Sequence, residues 1–236
     1  MFLSIRQLST TEADLCRRTL SSRAAFALVS DAITQRTSLS IVRMGDGEVA
    51  LLEAEDGRPF TRFNDRDAAW NARLGIDGLD VANIKANILK AGNECTYFAP
   101  SVSGISRRDY WLYDHFEPRE VYLDNFFVND WTKDMLDMLL RASDGVLIMH
   151  KDPEELARNF VQTYGIPQSH FAGFEKRSWR DNDAAIDAAA HSDKQLVLFS
   201  AGPAGKLIGP EIAKSGKVVI DVGNTLPGWS KGVPRS

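Results

Sequence analysis

QLVLFSAGPAGKLIGPEIAKSGKVVIDVG, residues 195–223, contains the pattern that decides the fold. Two apolar runs, QLVLFS (195–200) and KVVIDVG (217–223), flank a segment of helical character at about 204–215. Each run is apolar at nearly every position, which is typical of a strand buried on both faces of a parallel sheet. The stretch therefore predicts a strand–helix–strand unit with parallel strands.

The same alternation extends through most of the chain. Further strands are predicted at 38–44, 95–100, 120–125, 145–150 and near 169–172, and helices at 9–37, 49–55, 66–91, 131–142, from 152 onward, and at 181–191. Strands separated by helices favour an α/β fold with a mostly parallel sheet flanked by helices. We expect a single Rossmann-like domain over 1–236, with an N-terminal helix (1–37), an α/β core (38–224) and a C-terminal tail (225–236).

Composition narrows the classes of function. The formal net charge is −4, and no segment collects the Lys and Arg residues that binding along a nucleic-acid backbone requires, so nucleic acid is not an expected partner. Cys16 and Cys95 lack the spacing of a zinc or redox site and indicate thiols in a reducing compartment. No apolar stretch approaches the ~20 residues of a transmembrane helix, and the N-terminus does not resemble a signal peptide. We expect a cytoplasmic protein, and docking at the inner face of a membrane stays compatible with this.

Polar or glycine-rich segments follow four of the predicted strands. They are Gly45-Asp46-Gly47-Glu48, His150-Lys151, Ser200-Ala201-Gly202-Pro203 and Asp221-Val222-Gly223-Asn224. Parallel strands end at one edge of a sheet, and ligands of open α/β sheets bind beyond the carboxyl ends of the strands. The sequence therefore predicts a binding site at that edge.

Asp46 and Glu48 give the sharpest chemical signal. Two carboxylates separated by one residue, in an extended or turning backbone, can bind the same cation, and hard oxygen ligands suit Mg²⁺ or Mn²⁺. Gly45 and Gly47 would let a phosphate approach closely, and Arg43 would pair with the acids or with the phosphate. The alternative is a tight turn in which Asp46 is a cap and Glu48 is solvated.

Ser200-Ala201-Gly202-Pro203 precedes the helix predicted from about residue 204. Amides at that helix N-terminus would bind phosphate, although an ordinary strand–helix turn explains the segment equally well. The neighbouring GPAGK is not a Walker loop, because Ser200 stands where the loop needs glycine and Leu207 where it needs Ser or Thr. No GxGxxG follows a strand, which disfavours a dinucleotide enzyme.

VRMGDGEVALL (42–52) resembles the opening motif of the GT-D-fold glycosyltransferases, a bacterial family first described as a domain of unknown function. The R-x-G-D-G-E of that family corresponds here to Arg43, Gly45, Asp46, Gly47 and Glu48. In the C-terminal part, an S-x-G-P-like turn and a strand ending in D-x-G correspond to Ser200, Gly202, Pro203, Asp221 and Gly223. A weaker similarity covers Arg62-Phe63-Asn64 and CTYFAP (95–100). The His-containing segment that often follows D-x-G in the family is replaced by NTLPGW (224–229), which puts the choice of donor or acceptor in doubt.

The resemblance implies a metal-dependent glycosyltransferase that moves a sugar from a nucleotide-diphosphate donor, most often a UDP-sugar, to a bacterial surface glycan or glycoprotein. It implies Mn²⁺ or Mg²⁺ on Asp46 and Glu48. We assign the remaining donor contacts to Arg43, Gly45, Ser200 and Gly202 at the diphosphate and to Asp221 and Asn224 at ribose or sugar hydroxyls. Asp130 is the candidate base for the acceptor hydroxyl, or else the N-cap of the helix that follows it.

Two other readings stay open. A metal-dependent hydrolase of nucleotide-diphosphate compounds needs the same cation and phosphate contacts, and a non-catalytic nucleotide- or glycan-binding domain would retain the fold. The aromatic residues in the middle of the chain would stack on a sugar or base, or else pack in the core; they are Trp111, Tyr113, Phe126, Phe127 and Trp131.

Overall fold

The computed structural model describes residues 10–52, 81–101, 115–200 and 202–233. Its α-helices are α1 Thr10–Arg18, α2 Ser22–Gln35, α3 Asp46–Leu52, α4 Val81–Glu94, α5 Lys133–Ala142, α6 Pro153–Tyr164, α7 Asn182–His191, α8 Ile208–Ala213 and α9 Leu226–Ser230. Its strands are β1 Thr19–Leu20, β2 Leu39–Met44, β3 Tyr97–Pro100, β4 Tyr122–Leu123, β5 Val146–His150, β6 Phe171–Glu175, β7 Leu196–Phe199 and β8 Val218–Asp221.

Six of these strands form one sheet, in the order β3-β2-β8-β7-β5-β6, and every neighbouring pair is parallel. The central strands β7 and β8 are buried at every position. Such strands need cover on both faces, which is why their sequences are continuously apolar. The α/β fold with a parallel sheet is confirmed.

Helices cover both faces of the sheet. Alternate strand residues such as Ile41, Leu198 and Ile220 pack against α2, α5, α6 and α9. The intervening residues, such as Val42 and Val219, face the opposite layer, which is formed by α3, α4, α7 and α8. Burial of these apolar side chains stabilises the layered arrangement by about 25 cal/mol for each Å² removed from water. In the described part of the chain, no helix is long and apolar enough to cross a bilayer.

The predicted helix at 9–37 and the predicted strand at 120–125 both differ in the structure, and one strand pairing explains both differences. Thr19–Leu20 pairs in parallel with Tyr122–Leu123, and this short pair lies outside the main sheet. Ser21 then starts α2 as its N-cap, because its side chain accepts a hydrogen bond from the Ala24 amide at 3.2 Å. The long helix is therefore two helices, and the strand has two residues.

Two further differences concern the C-terminal region. The helix expected from about residue 204 begins at Ile208, because Pro210 has no amide proton and is tolerated only in the first helical turn. The segment assigned to a tail, 225–236, contributes helix α9, whose Trp229 is fully buried and stacks on Trp131 at 5.3 Å between ring centroids. Phe127 and Trp131 are therefore core residues.

Some predictions fall outside the described residues. The helix predicted at 66–91 is described only from Val81, where Ile84 and Ile88 are buried as its apolar stripe predicts. The motif Arg62-Phe63-Asn64 and the aromatic residues Trp111 and Tyr113 are not in the described ranges.

Candidate functional site

The carboxyl ends of the three adjacent central strands meet in one charged cluster. Arg43 lies on β2, Asp221 is the last residue of β8, and Lys206 follows β7 on a 3₁₀ turn. Glu48 reaches the same place from α3, which follows β2 directly. We call Arg43, Glu48, Lys206 and Asp221 the charge cluster. It lies where ligands bind in open α/β sheets.

Lys206 joins the two carboxylates of the cluster. Its Nζ donates to Oδ2 of Asp221 at 2.5 Å and lies 3.4 Å from Oε1 of Glu48. The side chains of Lys206, Glu48 and Asp221 are only 10%, 9% and 2% exposed. Burial by itself lowers the pKa of Lys206, but the charges of Asp221 and Glu48 outweigh it and raise that pKa overall. The ammonium is therefore held charged between its two partners.

Glu48 is positioned by the first turn of α3. The helix begins at Asp46, so the two acids lie within the helix and not in an extended or turning loop as expected. Its second carboxylate oxygen, Oε2, accepts a hydrogen bond from the Gly45 amide at 2.9 Å, and acids in a first turn are favoured by the helix dipole. The side chain of Asp46 is outside the described part of the structure.

Arg43 is tied into the backbone around the cluster. Its Nε donates to the Asn125 carbonyl oxygen at 2.6 Å and to Oδ1 of Asn125 at 3.0 Å, and one terminal nitrogen donates to the Val222 carbonyl oxygen at 2.7 Å. Burial lowers the pKa of Arg43, against the opposing charges of Asp221 and Glu48. A Cβ on Gly45 would come within 2.9 Å of Nδ2 of Asn125, so glycine lets Asn125 reach the arginine.

The segment after β7 differs from the expected phosphate-binding helix terminus. Gly202 has φ 63° and ψ −173°, a conformation open essentially to glycine alone, and a 3₁₀ turn over Pro203–Gly205 follows it. Ser200 is half-buried at the end of the strand. Because α8 starts only at Ile208, its N-terminus does not follow Gly202 directly as expected. The turn instead delivers Lys206 to the cluster.

Asn224 lies beside the cluster but is exposed. It is on the 3₁₀ turn Gly223–Thr225, directly after Asp221 and Val222. A hydrogen bond from the Thr225 hydroxyl to Oδ1 of Asn129, at 3.2 Å, stabilises this turn. Asn224 is therefore near the edge of the cluster, with its side chain open to solvent.

Asp130 lies on a cavity of about 550 Å³. It is exposed and does not cap the next helix, because that role belongs to Thr132, whose hydroxyl accepts from the Met135 amide at 3.2 Å. Asp124 lines the same cavity, and its charge acts on Arg43. The cavity is therefore next to the charge cluster, and its other lining residues include Thr19, Ser21, Ser22, Arg23 and Phe127.

The sequence pattern missed Lys206 and Asn125. Lys206 was considered only as part of a failed Walker pattern, although a lysine within a few residues of a strand end is itself a signal for this edge. Asn125 follows the short strand β4 and carries no motif. His150, the fourth predicted break, lies apart from these contacts: its Nδ1 accepts from the Asp152 amide at 3.0 Å, and burial lowers its pKa.

The carboxylates of the charge cluster are the oxygen ligands that the described residues offer to a metal at this edge. In the described ranges, no group of three or more His, Cys, Asp or Glu side chains is arranged to hold a metal. Glu48 and Asp221 nonetheless already share a cation, since the Lys206 ammonium lies between them. Carboxylate oxygens of this kind suit Mg²⁺ or Mn²⁺. Glu48 thus has the ligand chemistry that the expected metal requires, and in this structure its carboxylate is paired with Lys206.

Comparison with known proteins identifies the fold. No protein-family profile and no curated protein matches the chain. A structure described as the highly conserved domain of unknown function 1792, with a distinct glycosyltransferase fold, matches with a TM-score of 0.56 and 15% identity over 93% of this chain and 85% of that chain. A structure described as a new glycosyltransferase from Streptococcus sanguinis, with the same domain, matches with a TM-score of 0.54 and 16% identity, over 92% of this chain and 86% of that chain. The chain therefore has this glycosyltransferase fold, as its resemblance to the GT-D proteins implies.

Proposed function

We propose that the protein is a metal-dependent glycosyltransferase that transfers a sugar from a nucleoside-diphosphate donor, with UDP-sugars the first candidates. The observation that carries the proposal is the buried charge cluster at the carboxyl edge of the sheet, within a glycosyltransferase fold. Buried ionic groups are costly unless they are paired, so a structure that gathers three of them beside the partly buried Arg43 at the carboxyl edge of the sheet has a use for them. That use is recognition of a charged donor.

Sugar transfer releases a diphosphate whose growing negative charge must be stabilised. Lys206 and Arg43 supply positive charge at the strand ends, and the exposed Gly202 leaves room for phosphate oxygens. Asp46 and Glu48 would hold Mn²⁺ or Mg²⁺. Asp221 is buried and shares Lys206 with Glu48, so we propose it as a further carboxylate near the metal and no longer as a contact to donor hydroxyls. A divalent cation bound there supplies further positive charge toward the diphosphate.

The cavity beside the cluster suits the acceptor. Its lining combines hydroxyl-bearing and charged side chains with the apolar Leu20, Phe127 and Met135, a mixture that suits the hydroxyl groups and ring faces of a glycan or glycoprotein. Asp130 is the proposed base for the attacking hydroxyl, and Asp124 lines the cavity on the side of Arg43. Asn224, exposed at the cluster, remains our proposed contact to donor hydroxyls.

Thermal shifts with a nucleotide panel test the proposal. We expect UDP or another nucleoside diphosphate to stabilise the protein with Mn²⁺ and to do so far less with chelator. At a hundredfold excess over its dissociation constant a ligand adds about 2.7 kcal/mol, which corresponds to roughly 5–10 °C for a chain of this size. Equal shifts with and without chelator would remove the metal from the proposal.

Product analysis then separates transfer from hydrolysis. Incubation of the protein with a labelled UDP-sugar should give sugar-bearing acceptor when a glycan is supplied. Free sugar formed at the same rate with and without acceptor would indicate a hydrolase. Absence of any nucleotide binding would indicate a non-catalytic domain. Asp130→Asn, which keeps the shape of the side chain but removes the base, should slow transfer by about 10²-fold or more without weakening UDP binding.

A further inference from the structure

We propose that Lys206 is an internal counterion that competes with the divalent cation for Glu48 and Asp221, and so makes metal binding depend on the nucleoside diphosphate. The proposal rests on the function proposed above and concerns the order in which that site is filled. In this proposal, Lys206 holds Glu48 and Asp221 in place until the metal and the nucleotide bind together.

The geometry places the ammonium where a metal would bind. Nζ of Lys206 is 2.5 Å from Oδ2 of Asp221 and 3.4 Å from Oε1 of Glu48. The other oxygen of Glu48, Oε2, already accepts from the Gly45 amide at 2.9 Å, so a metal on this carboxylate would compete with the ammonium for Oε1. Both cations would then lie within contact distance of each other, in a site where solvent screens little. Lys206 must move before the metal binds well.

Lys206 cannot leave its partners without a replacement for them. All three side chains are about nine-tenths or more buried, and a buried charge that loses its partner is strongly unfavourable. A metal alone replaces the ammonium at the carboxylates but leaves Lys206 unpaired. A diphosphate alone offers oxygens to Lys206 but would leave Glu48 and Asp221 unpaired.

Only the two ligands together satisfy every member of the cluster. Glu48 and Asp221 would hold the metal, and the Lys206 ammonium would turn to the phosphate oxygens. Lys206 follows a 3₁₀ turn after β7, so its long side chain can change direction while the strands stay in place. Metal and nucleotide therefore strengthen each other's binding by the same factor, as linkage requires.

Mn²⁺ titrations of the whole chain, with and without UDP, test this. Wild-type protein should bind Mn²⁺ weakly alone and at least about tenfold more tightly with UDP. Lys206→Met has a similar shape but no charge, and should bind Mn²⁺ without UDP about tenfold more tightly than wild type, because a competing like charge is gone. UDP should strengthen Mn²⁺ binding clearly less in that variant than in wild type, because only the direct attraction between the metal and the diphosphate remains. Lys90→Met is the matched control, because Lys90 also pairs with a carboxylate, Glu211 at 2.9 Å, but is 46% exposed; it should behave as wild type.

A second variant guards against loss of folding. Lys206→Met with Asp221→Asn removes one charge of each sign, so it should fold even if the single variant is unstable, and it should lose the tight Mn²⁺ binding. Folded Lys206→Met that binds Mn²⁺ no more tightly than wild type would overturn the proposal. It would also be overturned if wild type binds UDP fully without metal and the variant does not, since Lys206 would then serve in place of the metal. Absence of UDP binding to wild type at any Mn²⁺ concentration would instead remove the proposed function and the coupling, whereas tighter Mn²⁺ binding by Lys206→Met would still establish the competition.

Discussion

Lys206 and Lys176 are both buried lysines, yet their environments have opposite effects. Counted over the whole residue, backbone included, Lys206 is 8% exposed and Lys176 is 4% exposed. Lys206 lies at the centre of the sheet edge between two carboxylates, and their charges raise its pKa. Lys176 follows the outermost strand β6, and its ammonium donates to the Ser178 carbonyl oxygen. Burial lowers its pKa to about 8, which the charge of Asp181 only partly opposes.

The comparison shows that burial disfavours the charged form of both lysines, and that the charged partners decide whether the pKa finally rises or falls. A carbonyl oxygen offers one hydrogen bond, whereas two carboxylates offer charge that compensates for lost hydration. The outer edge of the sheet therefore carries a lysine that is poorly accommodated and has no role in the charge cluster. The central edge carries one whose partners are arranged around it, as expected where a ligand binds.

The largest effect is expected when Lys206 loses its charge. Lys206→Met leaves Glu48 and Asp221 buried without their cation, so the free energy of unfolding in chelator should fall by about 3–5 kcal/mol. Urea unfolding measures it. Adding Asp221→Asn should recover part of the loss. A loss below about 1 kcal/mol in the single variant would mean that the cluster is more hydrated than its burial indicates.

Neutralising one carboxylate partner should have a smaller effect on stability but a large effect on activity. Glu48→Gln leaves Lys206 paired with Asp221, so we expect a loss of about 1–2 kcal/mol. Asp46→Asn should leave the unfolding free energy nearly unchanged. Both should lower sugar transfer by about 10²-fold or more, because each removes charge proposed to hold the metal. Near-normal transfer by both variants would return the two acids to a purely structural role.

Lys176 should respond in the opposite direction. Lys176→Met replaces a poorly compensated buried charge by an apolar chain of similar length, so the protein should gain about 1 kcal/mol at pH 7. Transfer activity should stay at the wild-type level. Urea unfolding beside Lys206→Met gives the contrast directly, and destabilisation by Lys176→Met would show that the bond to Ser178 outweighs the burial cost.

The change of that gain with pH is a finer test of the same residue. The folded protein releases the Lys176 proton near pH 8, whereas the unfolded chain releases it near 10.5. Between these values the unfolded state binds more protons, so wild-type stability rises with pH relative to Lys176→Met. The advantage of the variant should therefore shrink between pH 8 and 10.5. An advantage that stays constant over this range would place the pKa of Lys176 near its ordinary value.

The parallel sheet, and the meeting of its strand ends at one edge, were predictable because both depend on local pattern. Continuous apolar runs identify strands buried on both faces, and glycine-rich breaks mark where those strands end. The role of Lys206 was not predictable in this way. Its pairing with Glu48 depends on β8 lying between β2 and β7, and strand order is not written in any one segment.

The helical placement of Asp46 and Glu48 shows a similar limit. Their spacing suggested a loop, but Gly45 and the acids of the first turn favour an earlier helix start. Pro210 was a local signal that went unused, since it sets the start of α8. Asp46 as a metal ligand and Asp130 as a base stay predictions.

The position of β8 also has a consequence for how the chain acquires its site. During synthesis, β2 emerges long before Val218–Asp221, the strand that lies between β2 and β7. Contacts between such distant segments form slowly, because a long intervening chain must first be ordered. At about 5–20 residues per second on the ribosome, the early strands wait for seconds with an unfilled gap in the sheet. Glu48 and Asp221 therefore come together around Lys206 only when β8 fills this gap. A nascent chain that has been synthesised only as far as residue 217 still lacks the charge cluster.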